Sequence, residues 1–330
     1  MRKAKIIGLG TFFPEKILTN NDLSKIVETT DEWITTRTGI KERRIANESE
    51  STSQMGYLAA LKAVENADLD VSDIDLILVA TLTPDYIFPS TACIIQHKLN
   101  ATNAAALDIQ AACSGYVYAL TMAKALLEQK TFKNILIIAS EKLSSIVDYK
   151  DRSTCVLFGD AANACVVSLS DKGFEIVENY LGSDGKESNL LILPAGGSKN
   201  VASLKTIENR DHFLKMEGKE VFKHAVRRMQ GSIKKCLEKA NLKEQDISWL
   251  IPHQANERII EAVAKKFLHL PKERIFKDVV TKFGNTSASS VGLALEILHK
   301  DKKFKNNEKI LLTVFGAGFT FGASLLKYTE

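Results

Sequence analysis

The chain repeats itself once, and this constrains its fold more than any other feature. Leu61-Lys-Ala-Val-Glu-Asn-Ala-Asp-Leu69, followed by Asp73-Ile-Asp-Leu-Ile77, is echoed by Ile233-Lys-Lys-Cys-Leu-Glu-Lys-Ala-Asn-Leu242, followed by Asp246-Ile-Ser-Trp-Leu250. Ala67 and Ala240 stand 173 residues apart. Asn134-Ile-Leu-Ile-Ile138 matches Lys309-Ile-Leu-Leu-Thr313 at a separation of 175, and Ala119-Leu120 matches Ala294-Leu295 at the same separation. Chance similarity between amphipathic segments explains one match easily and three in register poorly. The period is far longer than the roughly 20–50 residues of a solenoid unit. A duplicated unit is expected, with halves at 1–170 and 171–330 forming one body. No low-complexity linker separates them. A site is therefore expected where the halves meet.

Each half alternates two kinds of pattern. Short β-branched runs at 5–9, 76–80, 135–139, 164–169 and 310–314 read as buried strands. Amphipathic spacing predicts helices over 55–66, 116–128, 222–239 and 257–268. Buried strands alternating with helices indicate an α/β protein.

Composition narrows the function classes. A chain of 330 residues buries enough surface to need no disulfide staples. With 45% apolar and 25% charged residues it is neither a disordered tail, a collagen nor a coiled coil. The cysteines at 93, 113, 155, 165 and 236 are odd in number and never spaced C-x-x-C. That fits reduced thiols of a cytoplasmic protein and argues against a disulfide framework or a zinc site. No apolar run reaches the ~18 residues of a membrane span. Residues 1–14 are broken by Gly8 and Gly10 and read as a first strand and turn, not a signal peptide. A net charge of +4 is too small to predict nucleic-acid binding.

Four segments carry candidate chemistry. Gly8-Leu-Gly10-Thr-Phe-Phe13 begins like a dinucleotide fingerprint, but Phe13 and Pro14 stand where the third glycine and the helix start belong. A tight turn after strand one is expected there instead. Cys113, in Asp108-Ile-Gln-Ala-Ala-Cys-Ser-Gly115, lies between a strand and a predicted helix. A helix N-terminus lowers a thiol's pKa and favours the thiolate, and small neighbours leave room for a substrate. The other four cysteines fit buried structural roles. His253, in Ile251-Pro-His-Gln-Ala-Asn256, follows a strand, precedes a helix and is placed to handle a proton. His97, His269 and His299 read better as surface or capping residues. Asn285, in Lys282-Phe-Gly-Asn-Thr-Ser-Ala-Ser-Ser290, is either a helix cap or a donor into the same pocket, since the repeat aligns its corner with that of Cys113. The loop Phe315-Gly-Ala-Gly-Phe-Thr-Phe-Gly322 joins the last two strands and allows close backbone approach.

Together these segments resemble the thiolase-fold condensing enzymes, and among them the β-ketoacyl-acyl carrier protein synthase III family. Residues 31–43 and 151–160 are also similar to that family, and the resemblance runs from Ile6 to Leu326. It implies a thiolase-like duplicated fold in five layers, α/β/α/β/α, assembled as a homodimer. It implies Cys113 as the acyl-accepting nucleophile, with His253 and Asn285 binding the thioester carbonyl of a malonyl substrate. It implies an oxyanion hole from the N–H groups of Cys113 and Ala317. Trp33 and Arg152 would sandwich the coenzyme A adenine, with Thr29 beside them. Arg37 would meet the phosphates, and Gly218 and Asn256 the pantetheine arm. Phe158 and Leu143 would line the acyl pocket, and Phe88 of the partner subunit would close it. A guanidinium stacks on rings and forks onto phosphate, which suits the first of these roles. Trp33 lies among Asp31, Glu32 and Thr35 and so is expected to be only partly buried.

The implied activity is a decarboxylative Claisen condensation between a short acyl coenzyme A, acetyl first, and malonyl-acyl carrier protein, initiating fatty acid synthesis. Coenzyme A is a substrate, and no cofactor or metal is implied. Lys223, Arg258, Lys265 and Lys266 would form a dock for the acidic carrier protein, the last three on one helix. Nucleic acid and membrane are not expected partners. A relative specialised for branched, longer or aromatic acyl groups is the alternative. Ala161, Asn163, Ala317 and Phe321 depart from the usual family pattern and bear on acyl preference. The order Cys, His, Asn also occurs in papain-like hydrolases, but their α/β organisation differs.

Overall fold

In this computed structural model, residues 2–267 and 269–330 are described; Met1 and Leu268, the ends of two expected segments, lie outside them. Nine strands form the main sheet: β1 (Lys3–Phe12), β2 (Leu76–Ala80), β3 (Ala105–Ile109), β4 (Asn134–Glu141), β5 (Ala161–Ser170), β6 (Gly173–Ser183), β7 (Trp249–Pro252), β8 (Lys309–Gly316) and β9 (Thr320–Thr329). Seven helices matter for the site: α1 (Asp31–Thr38), α2 (Thr52–Glu65), α3 (Thr91–Leu99), α4 (Gly115–Glu128), α5 (Gly218–Lys239), α6 (Glu257–Ala264) and α7 (Ser289–Lys300).

The strand order is β7-β8-β9-β6-β1-β5-β4-β2-β3. Read outward from the centre, the two sides repeat. In the first, β1 pairs antiparallel with β5, β5 antiparallel with β4, and β4 parallel with β2. In the second, β6 pairs antiparallel with β9, β9 antiparallel with β8, and β8 parallel with β7. A parallel bridge between Leu250 and Ile275 stands where β3 stands in the first side. The seam between β1 and β6 is two residue pairs long, Lys5 with Glu175 and Ile6 with Phe174.

Side-chain alternation turns this sheet into layers, because successive strand residues face opposite sides. Ile77 and Val79 pack outward with α2 and α3. Leu76, Leu78 and Ala80 pack inward with α4 and α7. In the second side Leu311 packs outward with α5 and α6, and Ile310, Leu312 and Val314 pack inward. The result is α/β/α/β/α, with α4 and α7 shared at the centre. A central helix must be apolar or small all round. α7 meets this demand, burying Ser289, Ser290, Gly292 and Ala294 beside its larger apolar residues.

The backbone repeats as well. Ala112 and Ser287, 175 residues apart, hold left-handed φ angles of 45° and 52°, just before α4 and α7. Asp68 and Asn241, 173 apart, hold 52° and 54°.

One local expectation is overturned. Gly8 and Gly10 do not make a turn; they lie inside β1. A Cβ on Gly8 would stand 2.2 Å from Ala63 O, and one on Gly10 2.2 Å from Ala59 O. The glycines let α2 lie directly on the strand.

Candidate active site

Cys113 sits in a short 3-10 turn, Ala112–Ser114, that leads into α4. The side chain is buried. The expected low thiol pKa is not found. Burial pushes the Cys113 thiol up to about 12, the Ser287 side chain opposes the rise, and the charge of Glu141 adds to it. Loss of water outweighs the helix N-terminus here.

His253 follows β7, and its N–H donates to Thr313 O at 2.8 Å. Its Nδ1 lies 2.7 Å from Ser290 Oγ. Ser290 Oγ also accepts from Gln254 N at 3.4 Å. The reaction needs a donor in the cavity, which is met when the Ser290 proton is given to Nδ1. The ring then carries its own proton on Nε2 and presents a donor to the cavity. Burial pushes His253 down to about 4, so it is neutral near pH 7.

Asn285 is not a helix cap; Ala288 holds that position at α7. The Asn285 backbone is pinned to the other half. Its N–H donates to Leu157 O at 2.8 Å, and its carbonyl accepts from Gly159 N at 3.1 Å. Gly159 and Gly284 permit this approach, since a Cβ on either would stand within 2.7 Å of a backbone carbonyl across the contact. Ser287 N donates to Asn285 Oδ1 at 2.9 Å. That bond fixes the amide and leaves Nδ2 as the free donor.

One cavity of about 280 Å³ brings the three together. Cys113, His253, Asn285 and Gly316 line it, together with Phe158, Asn256, Gly218, Trp33 and Arg37. The first half supplies the thiol and the second supplies His253 and Asn285. A larger cavity of about 730 Å³ lies at the sheet seam, against Phe174, Glu296 and the chain end, and holds none of the expected site residues. The smaller cavity is the site because it holds the chemistry.

The remaining expected residues fall around it unevenly. Trp33 is half-buried on α1, as expected. Arg37 stands 4.7 Å and Arg152 5.0 Å from its ring centroid. That spacing leaves no room for a purine between Trp33 and Arg152, so a sandwich requires Arg152 to move off the indole. Thr29 Oγ1 is buried without a hydrogen-bond partner, an acceptor or donor in need of one. Asn256 Nδ2 donates to Arg37 O at 3.1 Å, tying α6 to α1. Ala317 lies in the β8–β9 turn, and a Cβ on neighbouring Gly316 would stand 2.7 Å from Cys113 N. Thr320 Oγ1 ties this turn to Ala111 O at 2.7 Å.

Several expectations are corrected. Leu143 does not line the cavity; it is buried in the apolar cluster that also holds Phe158 and Val147. Phe88 is 84% exposed and outside the cavity of its own chain, which leaves its expected place in the partner's cavity unchanged. Asn163 is buried on β5 against Gly292 and Gly10, and Ala161 is buried beside it, so neither shapes the cavity. Phe321 packs on Gly182 and Arg228 instead. Cys93 is exposed, whereas Cys155, Cys165 and Cys236 are buried as expected. α6 ends at Ala264, so Lys265 is its cap and Lys266 lies beyond it. Arg258, Lys265 and Lys266 are exposed, and Lys223 on α5 pairs with Glu220 at 2.6 Å.

Sequence reasoning passed over Ser287, Ser290 and Glu141. A signal was present for the first: Ser287 stands at the repeat position of Ala112. Glu141 closes a strand that is apolar from Ile135 to Ala139, an unusual place for a carboxylate.

Among the described residues no cluster of three or more His, Cys, Asp or Glu is arranged to hold a metal ion. No helix among them is long and apolar enough to cross a membrane.

Comparison with known proteins gives one consistent result. Residues 107–185 match the family model described as 3-Oxoacyl-[acyl-carrier-protein (ACP)] synthase III, and residues 237–328 match its C-terminal model. The Beta-ketoacyl-[acyl-carrier-protein] synthase III of Chlamydia muridarum is 53% identical, over 98% of this chain and 99% of its own length. That of Caldanaerobacter subterraneus subsp. tengcongensis is 50% identical, over 99% of this chain and 98% of its own length. The crystal structure of 3-oxoacyl-[acyl-carrier-protein] synthase III from Aquifex aeolicus VF5 is 47% identical, with a TM-score of 0.89 over 98% of this chain and all of its own.

Proposed function

From the premise that this chain belongs to the β-ketoacyl-acyl carrier protein synthase III family, we propose how its cavity carries out the family reaction. The protein is a condensing acyltransferase that initiates fatty acid synthesis. In the first half-reaction acetyl coenzyme A, or another short acyl coenzyme A, acylates Cys113. Coenzyme A leaves with its sulfur. In the second, malonyl-acyl carrier protein enters the same cavity. Loss of carbon dioxide leaves an enolate whose oxygen is held by His253 Nε2 and Asn285 Nδ2. The enolate carbon attacks the acyl-cysteine and frees β-ketoacyl-acyl carrier protein. Splitting one hard step into two is the gain from a covalent intermediate. Each donor aimed at a developing oxyanion is worth roughly 100-fold to 1000-fold in comparable sites.

The N–H groups of Cys113 and Ala317 would hold the oxyanion of acyl transfer. Trp33, Arg37, Arg152, Thr29, Gly218 and Asn256 would hold coenzyme A. Phe158 would bound the acyl chain. In this course neither metal nor redox cofactor takes part, and coenzyme A is a substrate. The protein would act in the cytoplasm as a homodimer, with Phe88 reaching the partner's cavity and the lysines near α6 meeting the carrier protein.

The observation that carries this reading is the meeting of one thiol and two fixed donors in a cavity that Trp33 and Arg37 also line. Intact-protein mass tests it. Incubation with acetyl coenzyme A is expected to add one acetyl group to the parent and none to Cys113→Ala. Malonyl-acyl carrier protein is then expected to remove that group as acetoacetyl-acyl carrier protein forms. An acetyl group retained on Cys113→Ala would overturn the assignment.

A further inference from the structure

Glu141 ends β4 in complete burial, and the reaction course above gives it no task. Its carboxylate accepts five kinds of hydrogen bond. Thr81 Oγ1, Leu82 N, Thr83 N and Thr83 Oγ1 donate from the loop after β2, at 2.7–3.2 Å to Oε2. The fifth donor comes from the other half: Ser287 Oγ, 3.0 Å from Oε1. Its corner meets that of Cys113, where a Cβ on Gly115 would stand 3.5 Å from Ala288 Cβ, and the Ser287 side chain lowers the thiol's pKa against the effect of burial. Ser287 is fully buried, held at φ 52°, and its N–H is committed to Asn285. One hydroxyl thus bonds a buried carboxylate and acts on the nucleophile.

A fixed negative charge beside a thiol that must itself become negative works against acylation. The conflict disappears when the two groups share one charge. We propose that Glu141 takes the Cys113 thiol proton through Ser287 during acylation. This rests on Cys113 being the acylated nucleophile. The Cys113 S–H bond breaks and leaves its electron pair on sulfur. The proton goes to Ser287 Oγ, and the proton already on Oγ goes to Glu141 Oε1. Sulfur then bonds to the acyl carbon. The coenzyme A sulfur departs with the electron pair of the broken C–S bond and takes the proton back along the same path. The net charge of the site stays at minus one throughout, which a water-poor interior favours. Glu141 is a positioning residue in the sense that it acts on Cys113 only through Ser287.

The surroundings suit an acceptor. Burial pushes Glu141 up to about 7 despite its donors. Lys142, next in the chain, sends Nζ away to Asn47 O at 2.6 Å. Asp160 is taken up by Ala46 N and Ser144. His253 is neutral near pH 7. No cation is among the hydrogen-bonding partners that hold the carboxylate.

The two views of Glu141 predict opposite signs. As a mere charge it suppresses the thiolate, so Glu141→Gln would speed acylation. As proton acceptor its loss slows acylation. Rapid-quench mass spectrometry of acetyl-Cys113 formation from acetyl coenzyme A would be run from about pH 6 to 9, with malonyl-thioester decarboxylation measured beside it. The parent is expected to gain rate with pH and level above about 7. Glu141→Gln and Ser287→Ala are expected to acylate about 100-fold more slowly, within the usual range for a lost proton acceptor. Both should also lose the plateau, rising across the whole range, while decarboxylation stays near the parent rate. Faster or unchanged acylation in Glu141→Gln would overturn the proposal. So would equal loss of acylation and decarboxylation in both variants, which marks a structural prop. Absence of any acetyl adduct on the parent would overturn the nucleophile assignment itself.

Discussion

Ser290 Oγ stands 2.7 Å from His253 Nδ1, and this contact decides which imidazole nitrogen meets the substrate. The first turn of α7 thereby engages Nδ1 of a residue that follows β7 and leaves Nε2 for the substrate. Ser290→Ala removes the partner and frees the ring to turn and to exchange its proton. Decarboxylation of malonyl thioester is expected to fall about 10-fold, as for lost outer-shell partners of other imidazoles. Acylation of Cys113 should remain near the parent rate. Separate assays of carbon dioxide release and acetyl adduct check this; equal loss in both would remove Ser290 from its role.

Gly316, at the end of β8, lies against the backbone of the nucleophile. A methyl group there would lie 2.7 Å from Cys113 N and 3.2 Å from Ser114 N. Both neighbours are backbone and cannot swing aside. Gly316→Ala is therefore expected to move the turn, and with it Ala317 N–H, away from the oxyanion position. Loss of one such donor costs roughly 100-fold or more. Single-turnover acylation should fall by that order, while malonyl decarboxylation falls less. Parent-like acylation in a folded Gly316→Ala would exclude this turn from the oxyanion hole.

Trp33 faces two guanidinium groups, from Arg37 and Arg152. Its indole is expected to exchange Arg152 for the purine of coenzyme A. Trp33→Ala should raise KM for acetyl coenzyme A about 10-fold, as one lost ring contact of 1–2 kcal/mol implies. kcat and KM for malonyl-acyl carrier protein should change little. A fall in kcat with KM unchanged would place Trp33 outside coenzyme A binding.

Arg258, Lys265 and Lys266 are exposed, the first in the first turn of α6 and the two lysines past its last turn. Their distance from the reacting atoms makes them a test of docking apart from chemistry. Reversing Lys265 and Lys266 to Glu should weaken use of malonyl-acyl carrier protein and flatten its dependence on salt, because screened attraction governs encounter. Acylation by acetyl coenzyme A should be spared. Equal loss with both substrates would contradict the dock.

The sequence made the layered architecture legible because buried strands alternate simply and the repeat supplies its own control. Residues 76–80 were expected as a strand and form β2 without adjustment. The repeat also placed the Cys113 and Asn285 corners at equivalent points, a match the backbone carries down to the φ angles of Ala112 and Ser287. Ends were less legible. α6 stops at Ala264 although apolar spacing continues, because periodicity marks a face and not a terminus. Gly8 and Gly10 looked like turn residues because a helix lying on a strand leaves no local mark. The thiol's electrostatics were hidden for a different reason. A helix start can be read from sequence, but the desolvation that overrides it depends on what the other half places overhead.

Two buried groups of the site should leave opposite marks on stability. Burial lowers His253 from 6.5 to about 4. Between these values the unfolded chain binds a proton that the native chain does not. The contribution of His253 is fully present above 6.5 and is lost as pH falls to about 4. Burial raises Glu141 from 4.5 to about 7. There the native chain holds the proton that the unfolded chain releases. The contribution of Glu141 is fully present below 4.5 and is lost as pH rises through 7. Between about pH 4.5 and 6.5 the two slopes, each up to about 1.4 kcal/mol per pH unit, oppose one another in the parent. Glu141→Gln should leave the His253 slope, so that its stability relative to the parent grows as pH rises. His253→Gln should leave the Glu141 slope, so that its relative stability declines as pH rises. Urea midpoints across this window check both signs. Variants that track the parent in parallel would show that neither group carries a buried shift, and with it the neutral His253 and the acceptor Glu141 would both fall.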